Sequence, residues 1–260
     1  MKVNFETDKI SQFLDVPSSL PPFDIIVISH DNLQLTSQCV TSVIDQTSAP
    51  FHLIVVDDSK DLTPDYIRSL KRDNITLVHS ETPYQEGNSC INAGLQHTKH
   101  EVVAVLTNSM TVSMHWEVHA LNLLQKHADI GVIGIKILNP AGVIEDAGML
   151  VPQNGDPYDI GYGLTAHNLT NMYECPCVPW CCVLLRRCAV KTLPEGIYHP
   201  FRGWDDIDNC FVLKSEGWKV IYSGYGAAYH LACATRGTAD PEARKKSIEN
   251  GVRFRKRWEL

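Results

Sequence analysis

The sequence predicts an α/β fold: one domain built on a mostly parallel β-sheet flanked by helices. Three observations predict it. Short apolar runs rich in β-branched residues recur at 24–29, 53–58, 75–78 and 102–106. Segments with helical apolar spacing separate them. Ser29, Asp57 and Asn108, side chains able to hold a ligand, stand at or just past the ends of those runs.

Taken in order, residues 1–22 read as an arm closed by Pro21-Pro22. Asp24-Ile25-Ile26-Val27-Ile28-Ser29 has the length and uniform apolarity of a buried parallel strand. Leu35, Val40, Val43 and Ile44 carry helical spacing through 32–46. Leu53-Ile54-Val55-Val56-Asp57-Asp58 is a second strand ending in two acids. A helix follows at 62–72, with Pro64 near its first turn, where a missing N–H costs nothing. Ile75-Thr76-Leu77-Val78 is the third strand, 87–97 a loop and a helix, and Val102-Val103-Ala104-Val105-Leu106 the fourth strand. Residues 116–126 read as helix, and 130–137 as a strand interrupted by Gly131 and Gly134. Such alternation implies right-handed crossovers. It also places ligands beyond the carboxyl ends of the strands.

The second half is less regular. Residues 142–163 are rich in Gly, Pro, Asp and Asn and predict loops and short hairpins. Residues 179–190 predict a strand and a short helix, 205–216 a helix that Gly217 ends, and Val220-Ile221-Tyr222 a short strand. No repeat or low-complexity linker divides the chain.

Composition narrows the function. A chain of 260 residues can bury a sizeable core. Its 23 Lys and Arg against 30 Asp and Glu give a formal charge of −7, against the basic balance of a nucleic-acid binder. No apolar run reaches the roughly 18 residues of a membrane span. Residues 1–22 show no signal-peptide core, so a cytoplasmic location is expected. The odd cysteine count, nine, fits reduced thiols packed in the interior. Cys175, Cys177, Cys181 and Cys182 are spaced C-x-C-x3-C-C, unlike the paired C-x2-C of structural zinc sites, and packing ranks above zinc there. Neither G-x-G-x-x-G after the first strand nor G-x-x-x-x-G-K-[ST] is present, which disfavours dinucleotide oxidoreductases and P-loop NTPases.

Several segments together resemble the family 2 glycosyltransferases of the GT-A fold. Asp24-Ile25-Ile26-Val27-Ile28-Ser29-His30 is similar to their opening strand, and Val55-Val56-Asp57-Asp58-Ser59 to the second, whose acid contacts the nucleotide base. Gly87-Asn88 and Asn92-Ala93-Gly94-Leu95 resemble the stretch before their third site strand. Gly142-Val143-Ile144-Glu145-Asp146-Ala147-Gly148 resembles a segment of the rhamnosyltransferase-like branch. Trp204-Asp205-Asp206-Ile207-Asp208 resembles the motif of the catalytic base, and Tyr229-His230 the histidine that follows it. The resemblance spans roughly residues 23–235. It implies a nucleotide-sugar half at 23–137 and an acceptor half at 138–240; residues 241–260, rich in Lys and Arg, read as a basic tail. It also implies a nucleotide-sugar donor and a saccharide acceptor.

The chemistry of sugar transfer gives these residues candidate roles. The nucleotide must be held, the leaving diphosphate neutralised, and the acceptor hydroxyl deprotonated. Asp57 can accept a hydrogen bond from the imide N–H of a uracil or thymine ring, which implies a UDP- or dTDP-sugar; it can equally cap the next helix, as can Asp58 or Ser59. Ser29, His30, Asp58, Gly87, Asn92, Asn108 and Ser109 complete the candidate nucleotide site. The family match puts the base of an inverting reaction at Asp206, with Asp205 a close rival; acids in a first helical turn also suit the macrodipole.

At the expected metal motif the chain departs from the family. Leu106-Thr107-Asn108-Ser109-Met110-Thr111 contains no carboxylate, whereas Mn²⁺ and Mg²⁺ favour carboxylate oxygens. Asn108 and His230 are the candidate ligands, the imidazole suiting Mn²⁺ better. Trp180, Trp204 and Asp208 are acceptor-side candidates, though a tryptophan more often packs in a core. Arg202 and Arg236 are candidates for diphosphate oxygens. The basic tail predicts a helix with Ile248, Val252 and Trp258 on one apolar face, packed on the domain, or else touching an anionic membrane. A non-catalytic nucleotide- or glycan-binding module is the first rival reading, and a nucleotidyltransferase the second.

Overall fold

The computed structural model describes residues 19–79, 87–152, 155–199, 203–231 and 241–260. The arm expected at 1–22 lies mostly outside these residues, as do Arg202 and Arg236. The first half runs β1 (Phe23–Ser29), α1 (Leu33–Gln46), β2 (Phe51–Asp57), α2 (Thr63–Ser69), β3 (Ile75–His79), α3 (Gly87–Leu95) and β4 (Val102–Thr107). Then come β5 (Met110–Val112), α4 (Val118–Lys126), β6 (Ile130–Leu138), β7 (Ile144–Asp146), β8 (Met149–Leu150) and β9 (Tyr158–Asp159). The chain closes with β10 (Met172–Glu174), β11 (Cys182–Arg186), α5 (Asp205–Ser215), β12 (Lys219–His230) and α6 (Pro241–Trp258).

The main sheet has the order β10-β12-β6-β11-β4-β1-β2-β3. β1 is fully buried and runs parallel to β2 on one side and β4 on the other. β11 enters antiparallel between β4 and β6, and β12 runs parallel to β6. The ends of β1, β2, β4, β6 and β12 therefore share one edge. Alternate residues of the central strands feed two cores, one per face: Ile26, Ile28, Val103 and Val105 to one, and Ile25, Val27, Ala104 and Leu106 to the other. That alternation is the period-2 geometry of a strand buried on both sides.

Helix placement follows local chemistry. Asn32, left-handed at φ 61°, caps α1 by accepting from the Leu35 N–H at 3.2 Å. Gly94 lets α3 lie against β1: a Cβ there would stand 2.8 Å from Ile26 Cγ2. Gly217, at φ 89°, follows the end of α5 as its position in the sequence predicts.

Three expectations need correction. The strand at 220–222 is a quarter of the real one, because β12 continues through Ser223, Gly224 and Gly226 by a register shift between Ser223 and Ala227. No helix forms after β11, where residues 187–190 make a turn instead. The tail is a helix packed on the domain, but through Phe254 and Gly251, whereas Ile248 and Val252 are 58 % and 54 % exposed. No helix among the described residues is long and apolar enough to cross a membrane.

Candidate active site

The shared strand edge carries most of the residues singled out above. Ser29 and Asp57 end adjacent strands in register. Ser29 Oγ lies 3.0 Å from Thr36 Oγ1. Asp57 is 1 % exposed and accepts from the Ser59 hydroxyl at 2.6 Å and the Ser59 N–H at 3.3 Å. It forms a turn rather than a helix cap, since α2 begins only at Thr63. A carboxylate has lone pairs to spare beyond those two bonds. His30 Nδ1 pairs with Asp58 Oδ1 at 2.7 Å, with the imidazole about half exposed. Asp31 and Asn32 are both left-handed, φ 45° and 61°, which folds the β1–α1 loop back over the edge.

Asn108 fixes the next part of the rim. Its N–H donates to Ile28 O at 2.9 Å, and its Nδ2 to Asp31 O at 3.2 Å and Thr36 Oγ1 at 3.0 Å. The side chain thus braces the β1–α1 loop. Ser109 Oγ meets Thr107 Oγ1 at 3.1 Å, and the Ser109 carbonyl accepts from the Leu231 N–H at 2.8 Å. That bond and the Met110–His230 strand pair bring the end of β12 to this loop. His230 Nδ1 lies 2.9 Å from Glu145 Oε2 on β7.

The acids of α5 close the rim. Gly203 and Trp204 are left-handed, φ 70° and 83°, before the helix. For a tryptophan that conformation is strained by of order 1–3 kcal/mol. It turns Asp205 and Asp206, both half-buried, into the first turn. A Cβ on Gly87 would sit 3.1 Å from Asp205 Oδ2, so α3 and α5 begin side by side. Asn88 and Asn209 lock them, with amide bonds of 3.1 and 2.8 Å exchanged in both directions.

Asp146, 6 % exposed, lies within electrostatic reach of Asp206. Its Oδ1 accepts from the Gly148 N–H at 2.6 Å, while its Oδ2 is buried with no hydrogen-bond partner among the described residues. Burial raises its pKa well above the usual carboxylate range, against the Gly148 bond and with help from the charges of Asp159 and Asp206. Asp146 is thus a buried acid whose charged form is disfavoured close to the candidate base. Sequence reasoning gave neither Glu145 nor Asp146 a role. Two consecutive acids inside the apolar run Val143, Ile144, Ala147 were the available signal.

Comparison with known proteins places the chain. The model of the family described as Glycosyl transferase family 2 matches residues 24–193. The chain belongs to that family. An uncharacterized protein, y4gI, of Sinorhizobium fredii is 23 % identical over 256 residues, covering 92 % of this chain but only 28 % of that protein. The fold is similar to that of GalNAc-T7, solved with UDP, GalNAc and Mn²⁺, at TM-score 0.71 and 16 % identity, over 92 % of this chain and 48 % of that one. The mannosyltransferase PcManGT of Pyrobaculum calidifontis, with GDP-Man and Mn²⁺, gives 0.64 at 15 % identity over 94 % and 66 %. S. aureus TarS with UDP-GlcNAc gives 0.59 at 16 % identity over 90 % and 67 %. These chains are GT-A glycosyltransferases, and the present sheet and its helices have their arrangement.

Within this family 2 chain, four sequence-predicted residues have other work. Asn92 uses its amide to hold residues 193–195, donating to Leu193 O at 2.9 Å and Glu195 Oε1 at 2.5 Å and accepting from the Leu193 N–H at 2.8 Å. Trp180 is 6 % exposed and donates to Cys210 Sγ at 3.3 Å, leaving no ring face for a sugar. Trp204 lies against Phe254, ring centroids 5.3 Å apart, with the Arg255 guanidinium 5.9 Å from its ring. Asp208, 1 % exposed, accepts from Trp258 Nε1 at 2.6 Å and pairs with Arg257 Nε at 3.0 Å, so it anchors α6 rather than an acceptor. The cysteines Cys175, Cys177, Cys182 and Cys210 are buried free thiols. Burial pushes Cys175 to about 12.

The fit to a divalent cation is specific. Met110 is wholly buried in the core, and a thioether is a poor ligand for a hard cation. Asn108 turns its amide nitrogen inward. Among the described residues no three His, Cys, Asp or Glu side chains converge as a metal site. His230 and Glu145 remain, one imidazole and one carboxylate at the rim, each about one-fifth exposed. That donor set fits an ion whose other ligands come from a bound diphosphate and water.

Proposed function

We propose that the chain is an inverting glycosyltransferase. It moves a hexosyl or deoxyhexosyl group from a UDP- or dTDP-linked donor to a saccharide hydroxyl in glycan or polysaccharide synthesis. One observation carries the reading: the acids of α5 lie at the same sheet edge as Asp57, with Asp205 against Gly87 at the start of α3. A pyrimidine held at Asp57 then directs its diphosphate across the ends of β1 and β4 toward the acids. The y4gI protein and GalNAc-T7 are much longer than this chain, so the activity is argued from the site.

In this reading Asp57 accepts the imide N–H of the base, and Ser29 and Asn108 keep the β1–α1 loop in place beside it. Asp206 accepts the proton of the acceptor hydroxyl as that oxygen bonds to the anomeric carbon. The bond from that carbon to the diphosphate oxygen breaks on the opposite face, and the configuration inverts. The raised pKa of Asp146 disfavours a second negative charge near Asp206, which suits a base on α5. A cation at His230 would supply charge for the leaving diphosphate.

The test is donor turnover by Asp206→Asn. Loss of a positioned base lowers the rate by about 10²–10⁴, with UDP affinity retained. Turnover near the wild-type rate removes Asp206 from the mechanism. The lack of a carboxylate at residues 106–111, the expected metal motif, favours the rival non-catalytic module. That rival predicts nucleotide binding without sugar release.

A further inference from the structure

We propose that Glu145 supplies, together with His230, the protein side of a divalent-cation site, taking the part of the carboxylate missing from the β4–β5 connection. The proposal rests on the reading that a nucleoside diphosphate binds at this sheet edge.

The topology brings the two residues together. Leu138, the last residue of β6, pairs with Tyr229 of β12 on one side and Ile144 of β7 on the other. His230 follows Tyr229 past the end of β6, and Glu145, on antiparallel β7, is the extra residue of the bulge between Ile144 and Asp146. Their side chains meet across the end of β6, with Nδ1 and Oε2 2.9 Å apart. Two adjacent ligands of an octahedral ion with bonds of 2.0–2.1 Å stand about 2.9 Å from each other. The pair is positioned over the rim: Leu231, next in the chain, is bonded to the Ser109 carbonyl, and Met110 pairs with His230. Both side chains keep partial exposure, 21 % and 22 %, as open coordination positions require.

The donor set states what the site takes. One carboxylate oxygen and one imidazole nitrogen suit Mn²⁺ better than Mg²⁺, which favours all-oxygen shells. Two protein ligands leave most of the coordination sphere to diphosphate oxygens and water. Affinity for Mn²⁺ alone is therefore weak, and metal and nucleotide must strengthen each other by equal factors. A plain hydrogen-bonded His–Glu pair has no such coupling. Glu145→Gln separates the two, because the amide keeps a hydrogen bond to His230 and loses the charge.

The experiment is calorimetric titration of the full chain with UDP and with dTDP, in EDTA and in Mn²⁺. The melting temperature of every variant is read in the same buffer to verify folding. Mn²⁺ is expected to raise nucleotide affinity about tenfold or more. Glu145→Gln is expected to lose that gain, and His230→Asn to do the same if Glu145→Gln proves unstable. Mn²⁺ electron paramagnetic resonance is expected to show bound metal only when UDP is present. Nucleotide binding that is indifferent to Mn²⁺, or a full Mn²⁺ gain in both variants, overturns the cation site and leaves the nucleotide reading standing. Absence of nucleotide binding in both conditions overturns the nucleotide reading and this proposal with it.

Discussion

Asp146 ties the stability of the fold to pH. Its pKa in the folded chain is raised by burial first, then by Asp159 and Asp206. The unfolded value is about 3.9. Between the two, the native chain holds a proton that the unfolded chain has released, so stability falls as pH rises through that window. Asp146→Asn keeps an acceptor for the Gly148 N–H and removes the titration. Its melting temperature should gain on the wild type as pH climbs from 4 toward 7, and match its slope if Asp146 is charged in the native state. Tyr173, Cys175 and Tyr222 face the same carboxyl and are themselves raised by burial, so they stay neutral over that range. Asp24, at the opposite edge, is a structural counterpart. It is fully buried and accepts from the Lys99 and His100 N–H groups at 2.8 and 2.7 Å and faces His52 Nδ1 at 3.0 Å. Asp24→Ala leaves buried donors unmet and should cost about 3 kcal/mol or more by denaturant titration, with nucleotide affinity of the folded fraction unchanged.

At the scale of elements, α6 is a strut for the acids that open α5. Asn250, fully buried, accepts from the His199 N–H at 2.7 Å and donates to His199 O and Gly203 O at 3.1 and 3.2 Å. Those bonds hold the approach to Trp204 and α5. Asn250→Ala is expected to lower both melting temperature and turnover while sparing UDP affinity, since Asp57 lies on separate elements. Phe254→Ala should cost about 3–5 kcal/mol, the usual range for a buried aromatic. The basic composition of this segment made a helix legible, but not its buried face. The apolar residues Ile248 and Val252 point outward, because the docking partner is Trp204, whose ring requires the small Gly251. The same limit hid most of β12. Gly224 and Gly226 look like strand breakers in one dimension, yet each has backbone of another segment where a Cβ would be, Leu169 O and Trp116 O. β5 was hidden because three residues after a polar turn carry no period.

For the whole molecule, what local chemistry dictates was readable: the strands of the parallel half, Asp57 at a strand end, the acids opening α5. What depends on the path of the chain was not. Asn92 and Leu193 lie about a hundred positions apart, and only folding shows that the amide is used there. Glu145 finds His230 in the same way, across the end of β6. The fold gathers Asp57 and the acids of α5 at one sheet edge, and the proposed chemistry follows from that meeting. The most direct measurement is a crystal structure of the chain with UDP. The account predicts uracil against Asp57, with the diphosphate running past Ser109 toward His230 and the α5 acids. UDP seated at any other surface, with this edge left vacant, would contradict it.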